Sequence, residues 1–164
     1  MTTFECLNGL PYLNQVILEG LRFNPPIPQS PSVDIIHDCK IGKFNFKVGD
    51  KMCFNYVALH QNENEWQRPL EFLPERFDHA DPLSLTPGGK KRNPYSFAPF
   101  NGGKRICFGK TFADMNMKVV AIYASQYFNW VFQGEKYSAT KFPMLHLGMS
   151  KPVPIEMKLT QYNG

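Results

Sequence analysis

Residues Phe100-Asn-Gly-Gly-Lys-Arg-Ile-Cys-Phe-Gly109 read F-x-x-G-x-R-x-C-x-G without a gap. The stretch presents one thiol on a glycine-built loop beside a cationic side chain. Gly102, Gly103 and Gly109 allow positive φ or close backbone approach, where a side chain would collide with something flat and large. Arg105 carries a permanent charge on a rigid fork suited to a carboxylate. Lys110 to Tyr127 has helical patterning, which puts Cys107 just ahead of a helix N-terminus. Amide donors and the positive end of the helix dipole there favour an anionic sulfur. A buried thiolate needs such compensation, or a metal. The competing reading of any single cysteine is a small, buried, inert residue. Five fixed positions in ten residues weigh against that reading here and favour axial thiolate ligation of a haem iron.

Upstream, residues 9–23 read as a helix. Leu10, Leu13, Val16, Ile17 and Leu21 fall near a 3.6-residue period, Pro11 suits the first turn, and Asn24-Pro25-Pro26 stops it. Glu19 and Arg22, three apart, share one face; by itself that pair reads as a surface ion pair of little worth. Ile35 to Leu59 has the pattern of short strands. Phe44, Phe46 and Val48 alternate with polar residues, and Val48-Gly-Asp-Lys51 is a turn ahead of Met52, Phe54 and Tyr56, which predicts a small antiparallel sheet. His60, Trp66-Gln-Arg-Pro69, Phe72 and Pro74-Glu-Arg-Phe77 form an aromatic- and proline-braced loop that aims Arg76 inward. A buried arginine needs a carboxylate; Glu19 is the candidate, with Arg22 as third member. Residues 80–95 read as an exposed, flexible loop. The helix after Gly109 sets Phe112, Met115, Val119, Ile122 and Tyr123 at helical spacing, a core-facing stripe. Trp130–Phe132, Leu145–Leu147 and Ile155–Leu159 read as terminal strands, with Pro152 and Pro154 marking an edge.

In this order, E-x-x-R, P-E-R-F and the cysteine loop, followed by a helix and strands, the chain resembles the C-terminal portion of the cytochrome P-450 family, the haem-thiolate monooxygenases. The resemblance covers nearly the whole chain. It implies a mainly α fold with small β-sheets: a helix with E-x-x-R, a small antiparallel sheet, a meander, the cysteine loop, a helix and terminal strands. Residues 1–164 would be the haem-binding C-terminal part of a single larger monooxygenase domain, a fragment that lacks the oxygen-activating helix and the helices that roof the haem. The implied cofactor is haem b with Cys107 as axial iron ligand. Arg105 would pair with a propionate, Phe100 would pack beside the sulfur, and Gly103 and Gly109 would belong to the same haem-binding loop. Glu19, Arg22 and Arg76 would form a buried charge network beneath the loop, structural rather than catalytic, and no residue of the chain is assigned to turnover. Ile27, Pro28, Gln29 and Ser30 would border substrate, as would the tip at Met144 and Leu145. Where family members often carry a basic residue for the second propionate, this chain has Gln29-Ser-Pro-Ser32.

At 164 residues the chain suits one ordinary domain with a real core, and 43% hydrophobic content with 14 Phe excludes a disordered class. Cys6, Cys39, Cys53 and Cys107 include no C-x-x-C pair, and the four His show no metal-ligand spacing. A zinc site and a disulfide scaffold are therefore disfavoured, and a reducing compartment is the simplest inference. The first apolar stretch, Val16 to Leu18, is broken at once by Glu19, so it is neither a leader nor a span. The formal charge of +4 is unevenly spread. Between residues 88 and 118, Lys90, Lys91, Arg92, Lys104, Arg105, Lys110 and Lys118 stand against Asp114, a local +6 that leaves −2 for the remainder. This basic patch around the cysteine loop reads either as a solvated charged surface or, more sharply, as a docking face for an acidic redox protein near Lys104 and Lys110. No interleaved motif supports nucleic-acid binding, and no phosphate-cradling or dinucleotide fingerprint is present.

The functional expectation is oxygen insertion from O2 into an organic, lipophilic small-molecule substrate, with electrons from an NADPH-dependent reductase or other acidic donor. The implied location is the cytosolic face of the endoplasmic reticulum membrane for a full-length eukaryotic protein, and the cytoplasm otherwise. Two alternatives stand beside it: a truncated, non-catalytic relic or interaction protein that keeps the haem-loop sequence, and a nitric-oxide-synthase-like or peroxygenase haem-thiolate chemistry. The E-x-x-R and P-E-R-F partners argue against the last.

Overall fold

Pro11 opens the first long helix, α1 (Pro11–Phe23), where its missing N–H would have had no intrahelical partner. At the other end Asn24 N–H closes onto Gly20 C=O at 3.0 Å, and Pro25-Pro26 permits no further turn. The computed structural model describes residue 7, residues 9–133, 145–146, 149–150 and 156–161.

Four short strands follow α1. β1 (Val33–Asp34) pairs with β4 (Lys51–Met52), and β2 (Cys39–Ile41) pairs with β3 (Phe44–Phe46), both antiparallel, with Cys39 opposite Phe46 and Ile41 opposite Phe44. Gly42 supplies the positive φ, +59°, that the two-residue hairpin loop demands. The strand pattern read over residues 35–59 stops early, however. Asn55 Oδ1 accepts the Ala58 N–H at 3.0 Å and caps a short helix, α2 (Tyr56–His60). A side-chain cap outweighs the alternation of Phe54 and Tyr56, because it satisfies a helix donor that a strand would have to pair elsewhere.

The proline-rich middle is built from single 3-10 turns, Pro74–Phe77, Pro82–Ser84 and Pro94–Ser96, each with proline at its start. Residues 80–95 are more ordered than an open loop. Thr86 N–H bonds to Lys90 C=O at 2.7 Å, Gly89 turns at φ +72°, and Leu85 bridges Lys91. Gln67 Nε2 donates to the carbonyls of Pro82 and Leu85, at 2.9 and 3.1 Å, and anchors this segment to the meander.

The second long helix, α3 (Lys110–Tyr127), runs directly into β5 (Phe128–Gln133). β5 pairs antiparallel with β8 (Glu156–Gln161), from Phe128 opposite Gln161 to Gln133 opposite Glu156. β6 (Leu145–His146) pairs with β7 (Met149–Ser150). Leu145 thus lies on a strand; Met144, Leu147, Pro152, Pro154 and Ile155 lie outside the described residues. Among the described residues every sheet has two strands.

The interior is unusually polar. Among the described residues Leu7, Leu21, Tyr56 and Trp66 are the buried hydrophobic ones, while Glu19, Arg22, His60 and Arg76 are each 0% exposed. The expected core stripe of α3 is largely open: Phe112 and Tyr123 are exposed, and Met115, Val119 and Ile122 are half-buried. Helical spacing lines residues up on one face, but only a packed neighbour buries that face.

Candidate functional site

The most buried feature is a charge cluster built on α1. Glu19 and Arg22 stand one turn apart, so the carboxylate receives Arg22 as a bidentate fork: Nε to Oε2 at 2.7 Å and Nη2 to Oε1 at 2.8 Å. Glu19 Oε1 also accepts Leu73 N–H at 2.8 Å and Arg76 Nε at 3.1 Å. The structure therefore brings Glu19, Arg22 and Arg76 together, two cations around one anion. The remaining guanidinium protons go to the meander backbone. Arg22 donates to the carbonyls of His60, Pro69 and Glu71, at 2.9, 2.9 and 3.1 Å. Arg76 donates to those of Gln67, Arg68 and Glu71. Arg68 adopts φ +49°, a left-handed conformation rare for its type, with its carbonyl on Arg76 Nη2 at 2.5 Å. The two arginines thus substitute for a sheet ladder: a chain without regular structure from residue 61 to 73 finds its acceptors satisfied by fixed cations.

Two members of this cluster escape the sequence reading. Arg92 lies half-buried, not on an open basic face; it donates to Leu83 C=O at 2.8 Å and Arg76 C=O at 2.7 Å. Its guanidinium carbon is 4.2 Å from the Trp66 ring centroid. Burial, and then the charges of Arg76 and Arg22, lower its pKa to about 10. Lys118 is also buried, paired with Asp114 at 2.8 Å one turn earlier in α3. The open cations near the loop are therefore Lys90, Lys91, Lys104, Arg105 and Lys110. The second missed member is His60. Its carbonyl holds Arg22, and its Nε2 accepts the Ala98 N–H at 3.0 Å. Burial, and then the Arg22 charge, hold its pKa down to about 4, so the ring is neutral near pH 7. No sequence signal distinguishes either residue, since each of their hydrogen bonds pairs a side chain with a backbone group of the kind every residue carries.

From Ala98 the chain enters the cysteine loop. Asn101 (φ +65°) and Gly103 (φ +60°) make two left-handed bends on either side of Gly102. Asn101 tolerates its bend with its own Oδ1 accepting Gly102 N–H at 3.0 Å. Gly102 itself is extended, and a Cβ there would stand 3.3 Å from the Tyr95 ring, a close approach. Gly109 does neither: its φ is −81°, and a Cβ would meet the Cys107 sulfur at 3.8 Å, an ordinary contact. Cys107 N–H bonds back to Phe100 C=O at 2.8 Å, and Cys107 C=O accepts Lys110 N–H at 3.3 Å. With Gly109 as the N-cap of α3, the exposed thiol stands two residues ahead of the helix.

Cys107, Arg105 and Phe100 line one cavity of about 260 Å3, with Leu21, Ile27 and Tyr56 among its other walls. Of the segment after α1, Ile27 and Gln29 are exposed. Pro28 and Ser30 are buried, and their backbone and hydroxyl groups are committed to Tyr56 and Phe54. Among the described residues no three His, Cys, Asp or Glu side chains group to hold a metal, so iron at Cys107 would need its remaining ligands from a prosthetic group. A haem fits what is present. Its flat apolar ring suits a cavity walled by Leu21, Phe100 and Tyr56, and Ile106 and Phe108 of the same loop are exposed, at 51% and 103%. Its carboxylates suit Arg105, which has no ion-pair partner among the described residues.

Among the described residues no helix is long and apolar enough to cross a membrane. The Cytochrome P-450 family model matches residues 1–159. The 3-hydroxyindolin-2-one monooxygenase of Zea mays is 32% identical over 136 residues, which are 82% of this chain and 25% of that protein. The tabersonine 16-hydroxylase 2 of Catharanthus roseus is 30% identical over 138 residues, 84% of this chain and 26% of that one. Among solved structures, the retinoic acid-bound cyanobacterial CYP120A1 superposes with a TM-score of 0.82 at 29% identity, over 98% of this chain and 35% of that chain. The chain thus spans about a quarter of the curated relatives it matches and about a third of the solved structures. With a family match along almost its entire length, and a fold shared with solved members, this chain belongs to the cytochrome P-450 family.

Proposed function

We propose that the protein carrying this chain is a haem-thiolate monooxygenase in which Cys107 ligates the iron and Arg105 holds a haem carboxylate. The observation that carries this reading is the shared cavity, in which a thiol beside a helix N-terminus, a guanidinium without an ion-pair partner among the described residues, and an apolar wall meet. When bound, the haem supplies the redox chemistry that activates dioxygen. The chain's own residues prepare the site. The α3 N-terminus and the neighbouring Lys104, Arg105 and Lys110 place positive potential around the Cys107 sulfur. The Cys107 N–H, tied to Phe100 C=O, sets the direction of that residue. Phe100 lines the same cavity as the sulfur, and glycine at position 109 keeps the flank of the sulfur free of a side chain. Residues 1–164 form the haem-binding part of one larger domain.

The net reaction joins one C–H substrate with one O2, two electrons and two protons, and yields the hydroxylated product and water. The electrons come from a separate acidic donor, such as an NADPH-dependent reductase, docked near Lys104 and Lys110, both exposed beside the loop. The apolar walls of the cavity support a lipophilic substrate, with Ile27 in the wall and Gln29 exposed two residues further along the chain. The whole protein would work at the cytosolic face of the endoplasmic reticulum in a eukaryotic host, and in the cytoplasm otherwise. The reduced, carbon monoxide-bound spectrum of the full-length protein tests this. A thiolate-type Soret band is expected, and Cys107→Ala abolishes it; a wild type without the band, or a variant that keeps it, overturns the assignment.

A further inference from the structure

We propose that His60 is a positioning residue for Cys107: it registers the cysteine loop against the buried charge cluster and so governs how well the sulfur acts as a thiolate donor. This rests on the haem-thiolate reading above and names a residue through which the rest of the chain acts on the ligand.

His60 closes α2 and is fully buried. It is held on two sides by different parts of the molecule. Its backbone carbonyl accepts Arg22 Nη1 at 2.9 Å, which ties it to Glu19 through the bidentate pair. Its ring Nε2 accepts the Ala98 N–H at 3.0 Å. The ring also packs near Tyr56, 6.1 Å between centroids at 21°, and Phe97, 5.3 Å away. From Ala98 the tie continues inside the loop. Ala98 C=O accepts Asn101 N–H at 3.1 Å, and Phe100 C=O accepts Cys107 N–H at 2.8 Å. An unbroken series of short hydrogen bonds and single residues therefore runs from the Glu19 carboxylate to the backbone of Cys107.

The chemistry of this link is selective. An N–H faces the ring, so the ring nitrogen there must offer a lone pair, which only the neutral imidazole does. An apolar side chain of equal volume would leave the half-buried Ala98 N–H without its acceptor. A protonated ring would set a donor against a donor. Pro99, next in line, has no N–H to offer in place of Ala98. The histidine side chain therefore acts on the loop, while the fit to Arg22 uses only the backbone of the same residue. Replacing the side chain separates the two functions.

The test compares His60→Phe with His60→Gln in the full-length haem-loaded protein, where the amide oxygen of Gln reaches about as far as Nε2. The readout is the ratio of thiolate-type to thiol-type Soret absorbance in the reduced carbon monoxide complex, at equal folded haem protein. His60→Phe is expected to lower that ratio severalfold, and His60→Gln to restore most of it. An unchanged ratio in His60→Phe, with only its melting temperature reduced, overturns the proposal, as does a Gln variant no better than Phe. For a His60→Phe protein that does not fold, hydrogen exchange of the Ala98 amide in the wild type decides: protection on a par with α1 is expected, and free exchange overturns the link. A wild type that lacks a thiolate-type band overturns the haem-thiolate reading itself, an outcome separate from any difference among the His60 variants.

Discussion

The guanidinium carbon of Arg92 stands 4.2 Å from the centroid of Trp66, and Arg22 approaches the same indole at 5.3 Å. One tryptophan, 1% exposed, thus takes two cations. This contact explains how the cluster tolerates three guanidiniums around the single Glu19 carboxylate. The surplus charge rests on aromatic faces and on backbone carbonyls, both of which attract a cation without carrying formal charge.

Arg92→Lys should therefore be destabilising although it preserves charge. The ammonium cannot keep both the Leu83 and Arg76 carbonyls and the stack on Trp66. A loss of about 1–2 kcal/mol is expected, read as a lower urea midpoint, with a change in Trp66 fluorescence in the folded protein.

Glu19→Gln removes the one anion and leaves Arg22 and Arg76 buried against each other. Breaking a buried pair in this way costs about 3–5 kcal/mol. The exposed Lys47–Asp38 pair, with side chains 76% and 55% accessible, is the internal control. Asp38→Asn should leave the unfolding midpoint unchanged within error, because a solvated pair contributes little.

His60 makes stability depend on acid. Its folded pKa of about 4 lies below the ordinary histidine value of 6.5, so between these values the unfolded chain binds more protons than the folded one. The stabilisation is complete above about pH 6.5, falls as the pH drops, and is lost once the folded pKa is passed. The full span corresponds to about 3 kcal/mol. Denaturant titrations at pH 7 and pH 4.5 should differ in this direction, and His60→Gln should remove the part of the slope that lies in this window.

Two neighbouring glycines should respond differently to alanine. At Gly103, φ is +60° and nothing lies within 4 Å of an added Cβ, so the cost is conformational, about 1 kcal/mol. At Gly102 the backbone is extended and the only obstacle is the ring of Tyr95, which is 67% exposed and free to swing aside. Gly103→Ala should therefore lower the melting temperature more than Gly102→Ala, as calorimetry on the two variants would show.

Much of this molecule is legible locally. Pro11 and Asn24-Pro25 bound α1, Glu19 and Arg22 share its face by their three-residue spacing, and the glycines around Cys107 announce a turn before α3. Each depends on residues within one or two turns of chain, whose propensities act whether or not the rest has folded. The family resemblance is of the same kind, since its motifs are short strings in a given order.

Where patterns were misread, a nonlocal partner was the cause. The stripe on α3 predicts burial only if something covers it, and Phe112 and Tyr123 remain open. The basic run between residues 88 and 118 reads as one surface, yet Arg92 turns inward to the meander and Lys118 pairs along its own helix. By itself, the sequence determined the helix boundaries, the loop that offers the Cys107 thiol and the charged residues available to brace it. Only the tertiary structure decided that His60 and Arg92 join that brace, and that carbonyls of the meander share its charge. Those partners lie far along the chain, as the 38-residue separations of His60 from both Arg22 and Ala98 show. Each of those bonds has a backbone group on one side, identical in every residue, and so leaves no mark in the sequence until the chain has folded.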